Sequence, residues 1–80
     1  MKLWLIKQDK NNGYDTYSDA VVAAETMEEA VMIHPGRGNW DGKAPNSGEW
    51  CGYKDVSASL IGEAEEGTVK GVICASYHAG

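Results

Sequence analysis

Residues 3–8 carry apolar side chains on both alternating faces, Leu3 and Leu5 on one and Trp4 and Ile6 on the other. That pattern predicts a strand in the interior of a sheet, covered on both sides. Asp9-Lys10-Asn11-Asn12-Gly13 follows, and it is turn chemistry because Asn and Gly accept positive φ at little cost. Tyr14, Tyr17 and the apolar run 20–24 predict a second strand, so the first two strands read as a hairpin. Thr26 with Glu29 three residues on has the form of a capping box, in which each side chain satisfies a backbone N–H at a helix start. Met27, Ala30, Val31 and His34 share one stripe, Glu28 lies off it, and Pro35-Gly36 ends the element, so the helix is expected to run to about His34, about two turns.

Residues 35–54 hold Gly36, Gly38, Gly42, Gly48, Gly52 and two prolines with no sustained period, which predicts a long irregular loop. Loops beyond about 12–15 residues in a compact domain are usually functional or disordered. Trp40, Trp50 and Tyr53 argue against disorder, since large rings find something to pack on, so the loop is expected to fold back over the sheet. Residues 56–64 and 72–78 alternate as two further strands. Glu65-Glu66-Gly67-Thr68 between them reads as a tight hairpin turn, making those strands antiparallel neighbours. The expected architecture is α+β: one domain over residues 1–80, a single antiparallel four-stranded sheet in ββαββ order, and one short helix packed on one face with the long loop after it.

Composition adds a charge argument. Twelve acidic against seven basic side chains give a net charge of −5 and a pI near 4.8. A cationic face is what phosphate contacts need, so direct nucleic-acid binding is not expected, and a basic partner is. Solubility alone also explains acidity in many proteins. No apolar run approaches the roughly 18 residues of a membrane span, and Met1 to Lys7 is too short and too soon interrupted by charge for a signal peptide, which predicts a cytoplasmic protein. With that setting Cys51 and Cys74 are expected reduced, as small core or edge residues.

Candidate chemistry is sparse. His34, Cys51, Cys74 and His78 lack the short spacings that present two ligands to one metal ion, so no metal and no cofactor is expected. Cys74 with a histidine lacks a visible third orienting group for nucleophilic catalysis, and no spacing selects one hydrolytic pair from twelve acids. The chain therefore reads as a binding protein and not an enzyme. Gly36-Arg37-Gly38 follows a helix and so presents no helix start to an anion, although the guanidinium of Arg37, the single arginine, suits a phosphate or carboxylate. Helix C-terminal dipole pairing is its bland explanation. Trp40-Asp41-Gly42 reads as a ligand-contacting tip or a hydrophobic latch. Glu25, Glu28 and Glu29 form one acidic cluster and Glu63, Glu65 and Glu66 another, each explicable as solvated surface.

Residues 13–24, 33–35 and 71–80 together resemble small proteins of bacteriophages and prophages, with likeness over most of the chain. Size and acidity within that setting are similar to those of anti-CRISPR proteins, inhibitors of a type I Cascade complex, with type I-C as the specific candidate. The resemblance implies a protein acting in the host bacterial cell, as a monomer or weak dimer, on the basic DNA-binding surface of a CRISPR effector complex. Glu25, Glu28, Glu29, Glu63, Glu65 and Glu66 would then stand in for backbone phosphates, with Arg37, Trp40, Asp41 and Trp50 as further contacts. Two alternatives stand beside it: a phage sponge that sequesters a cyclic nucleotide or similar immune signal through Arg37 and the aromatic loop, and a small hydrolase.

Overall fold

A computed structural model describes residues 1–10, 16–36, 38–39 and 50–78. The elements are β1 (Lys2–Lys7), β2 (Thr16–Ala24), α1 (Met27–Val31), the two-residue strands β3 (Ile33–His34) and β4 (Gly38–Asn39), a 3-10 turn at Tyr53–Asp55, β5 (Ser57–Glu63) and β6 (Gly71–His78). The fold is α+β: a four-stranded antiparallel sheet in the order β5-β1-β2-β6 with one short helix, while β3 and β4 pair separately.

The β1–β2 hairpin forms as expected, in unbroken register from Lys2 opposite Ala24 to Lys7 opposite Asp19. Gln8 extends it, its backbone N–H reaching the Ser18 carbonyl at 3.2 Å and its side-chain amide the Tyr17 carbonyl at 2.7 Å. One face of the sheet makes the core: Trp4 and Ile6 of β1 and Ala20, Val22 and Ala24 of β2 pack against Ala30, Ile33 and Trp50. Trp4 keeps its indole N–H satisfied inside this core by donating to the Ala24 carbonyl at 3.0 Å. The expectation that β1 is covered on both sides is corrected, for Leu3 and Leu5 on the other face are only half-buried.

The helix is shorter than its apolar stripe suggests, ending at Val31 with Met32 as its C-cap. Two local preferences explain the early stop. Ile33 is β-branched and fully buried, and His34 precedes Pro35, whose ring disfavours helical geometry in the residue before it. Both residues go extended, opposite Asn39 and Gly38. The continuous loop expected over 35–54 is thus interrupted by β4 and by the 3-10 turn, and residues 40–49 lie outside the described residues.

The expected β5–β6 hairpin is overturned, because the two strands occupy opposite edges of the sheet. The turn itself forms: the Thr68 N–H and hydroxyl both donate to the Glu65 carbonyl, at 3.0 and 2.6 Å, and Gly67 takes the positive φ of 92° that the turn requires. It redirects the chain across the end of the sheet instead of folding it back. Three strand spacings come to about 14 Å, well within the reach of the linking residues 64–70. Both β1 and β2 are apolar enough to demand interior positions, and once they pair with each other only the two edges remain.

Beside β3, the backbone of Gly36 lies so close to Tyr17 that an added Cβ would stand 2.6 Å from the phenol oxygen and 3.1 Å from Cζ. Tyr17 has little room to yield, its ring sitting 4.7 Å from Tyr77 and edge-on to His34 at 6.1 Å. Gly36→Ala is therefore expected to cost about 1–3 kcal/mol by overpacking, lowering Tm by roughly 4–8 °C per kcal/mol. A thermal melt checks it, and adding Tyr17→Phe should recover part of the loss because the nearest atom is then gone.

Candidate functional site

Among the described residues an acidic feature is assembled at one end of the sheet. Lys2 lies between Ala24 of β2 and Glu63 of β5 in the register, so the ends of those strands are separated by only two strand spacings, about 10 Å. Glu25 directly follows β2, and its carboxylate is 3.9 Å from the terminal ammonium of Met1. On the other side the Ala64 N–H donates to the Met1 carbonyl at 2.8 Å, binding the segment that carries Glu65 and Glu66 to the same end. Helix α1 also packs beside β5, bringing Glu28 and Glu29 of its first turn to that end.

Thr26 caps α1, its hydroxyl oxygen accepting from the Glu29 N–H at 3.2 Å. The carboxylate of Glu29 accepts from the N–H of Glu25 at 3.0 Å, one residue before the cap, a variant of the reciprocal bond that the Thr-x-x-Glu spacing predicts. Glu29 is consequently half-buried and committed to the cap, whereas Glu25, Glu28, Glu63, Glu65 and Glu66 are exposed. Among the described residues six carboxylates thus share this end with Lys2, Lys70 and the amino terminus, leaving an excess of three negative charges. Between the two clusters lie more than thirty residues of chain, so their meeting is a product of the sheet register and of the packing of α1 beside β5.

The remaining sequence candidates fare differently. Trp50, expected as a partner contact, is fully buried in the core, 6.4 Å from the His34 ring. Arg37, Trp40 and Asp41 lie outside the described residues.

At the opposite end an open groove of about 560 Å³ is lined by Lys7, Gln8, Asp9, Ser18, Asp19, Asp55 and Ser57. Sequence reasoning did not single out these residues, although Lys7 and Asp19 are what the hairpin register places face to face, with Ser57 on the far side of Lys7. Among the described residues no group of three His, Cys, Asp or Glu side chains is placed to hold a metal ion, and no helix is long and apolar enough to cross a membrane.

Both cysteines are free, Cys51 buried and Cys74 exposed on β6. Burial, with a smaller contribution from the carboxylate of Asp55, pushes the Cys51 thiol up to about 11 from an ordinary value of 9.0. The folded protein thus favours the neutral thiol, and the stability this contributes is present below pH 9 and lost as pH rises from 9 towards 11. Because the thiolate is the reactive species, a disulfide reagent at mildly alkaline pH is expected to modify Cys74 rapidly and Cys51 only after denaturant is added. Two equally fast thiols in the native protein would contradict the burial of Cys51.

Comparisons with protein-family models, curated proteins and solved structures return no match for the chain.

Proposed function

We propose that the protein is a phage anti-defence protein, an anti-CRISPR inhibitor that binds a Cascade-type effector complex in the host cell and blocks its access to target DNA. The observation that carries this reading is the gathering of Glu25, Glu28, Glu29, Glu63, Glu65 and Glu66 at one end of the sheet. Channels that hold DNA are lined by lysine and arginine, and a compact set of exposed carboxylates can occupy them in place of phosphates. Two of the segments involved are pinned to the sheet through Met1, so the carboxylates are presented with less ordering cost than on a free tail.

Nucleotide sequestration, the competing reading, loses one of its stacking surfaces with the burial of Trp50. The deciding experiment mixes purified protein with a type I-C Cascade complex on a size-exclusion column and then asks whether the complex still retains target duplex in a gel shift. Co-elution with loss of DNA retention is the expected result. Failure to co-elute rejects this target, and stabilisation in a thermal shift with cyclic nucleotides would move the assignment to the sponge.

A further inference from the structure

Large apolar side chains stand exposed beside the acidic end. Leu60 is directly opposite Trp4 in the β1–β5 register, so both project to the face that α1 covers. Trp4 is buried there, whereas Leu60, on the edge strand, is 56% exposed. Leu3 lies opposite Gly62, which makes Ile61 an extra residue in β5, and Ile61 is 52% exposed. An edge bulge of this kind re-aims a side chain, and here it leaves two consecutive apolar residues in solvent. Met27 opens α1 and is 49% exposed. The helix packs beside β5 and its five residues span about 7.5 Å, so Met27 lies near the same edge. Carboxylates border all three. Glu28 follows Met27, and Glu63 is three residues beyond Leu60, about 10 Å along the strand, close to one screening length at physiological salt.

We propose that Met27, Leu60 and Ile61 form the apolar anchor of the interface, and that they meet an apolar depression bordered by lysine and arginine on the effector complex. The inference rests on the inhibitor reading and supplies what charge lacks. Exposed apolar side chains on neighbouring elements, rimmed by polar groups, are the mark of a protein-binding surface. The rim selects the occupant. Carboxylates repel phosphate and also a second copy of a chain that itself carries −5, so a basic protein surface is what the patch fits.

The two kinds of side chain then divide the work. Attraction between the carboxylates and a basic channel speeds encounter and falls with salt, but it adds little to residence once the partners have met. Residence comes from groups that lose water at the centre of the contact, in proportion to the apolar area they hide. Leu60 and Ile61 sit on a strand already hydrogen-bonded to β1, so their backbone is ordered before contact. Met27, with its flexible thioether, adapts to an irregular surface.

Met27→Gln, Leu60→Thr and Ile61→Thr together put polar side chains that suit a helix and a strand at exposed positions, so the melting temperature should hardly move. Surface plasmon resonance against a type I-C Cascade complex at several salt concentrations reads both rates. The triple variant should dissociate roughly tenfold faster, with the association rate and its salt dependence as in the unmodified protein. Each single substitution should accelerate dissociation in the same way to a smaller degree, which keeps the test should the triple variant fold poorly. Ile73→Thr, at a comparably exposed isoleucine on the opposite edge strand, is the control and should change neither rate. Binding by the unmodified protein with the same dissociation rate in these variants overturns the anchor and leaves the inhibitor reading standing. Equal acceleration by Ile73→Thr also overturns it, because no particular surface is then picked out. If the unmodified protein does not bind the complex, the anchor and the inhibitor reading fall together.

Discussion

Trp50→Ala is expected to destabilise the protein by about 3–5 kcal/mol, the range for emptying a large buried aromatic site. Trp50 is one of the largest fully buried side chains, and it closes the core over Ile6, Val22 and Ile33. A domain of this size has roughly 4–12 kcal/mol of total stability, so the substitution removes a large share of it. The melting temperature should fall by roughly 12 °C or more at about 4–8 °C per kcal/mol, and near-ultraviolet circular dichroism should lose intensity at the same time. A loss below about 1 kcal/mol, typical of surface positions, would place the ring outside the core and restore it as a candidate partner contact.

The second large effect is on binding. Reversing Glu63, Glu65 and Glu66 to lysine changes the charge at the acidic end by six units while altering only exposed side chains. Folding stability should move by no more than about 0.5 kcal/mol per site, as surface substitutions do. Affinity for the proposed effector-complex target should fall roughly a hundredfold at low salt, mainly through slower association, and its dependence on ionic strength should flatten with it. Titration of the variant at several salt concentrations measures both quantities. Asp9→Lys with Asp55→Lys, a four-unit change at the far end of the sheet, is the control and should leave affinity within a few fold. Equal loss in both variants would show that net charge matters and the acidic end does not. Glu29 is left out of the reversal because its carboxylate holds the Glu25 N–H, and changing it would confound capping with binding.

Much of the local structure is legible in the residues. Apolar runs marked β1 and β2, alternation marked β5 and β6, and Thr26 with Glu29 marked the helix start down to the hydrogen bond between them, while the Asn and Gly of the first turn lie outside the described residues. The helix ends before its apolar stripe does because the residue before Pro35 disfavours helical geometry, a signal also present in the sequence. A turn signal at Glu65–Thr68 says that the chain bends there, and the bend exists, but it does not say which strands become neighbours. The run Ala20-Val21-Val22-Ala23-Ala24 held the missing information, since a second strand apolar on both faces also needs an interior place, which sends β5 and β6 to separate edges.

The sequence by itself determined what is settled within a few residues of each position: strand and helix periods, caps, turns, and the net negative charge. Tertiary structure decided three further matters. It chose the sheet order, buried Trp50 and brought the two glutamate clusters to one end. The physical reason is competition: every apolar strand gains by taking an interior position, only two are available in a four-stranded sheet, and the winner depends on all four strands together. Closing a longer connection adds little entropy cost, so a nearby turn gives β5 and β6 no decisive advantage as neighbours. Their position at the two edges places the segment after β5 beside the start of α1.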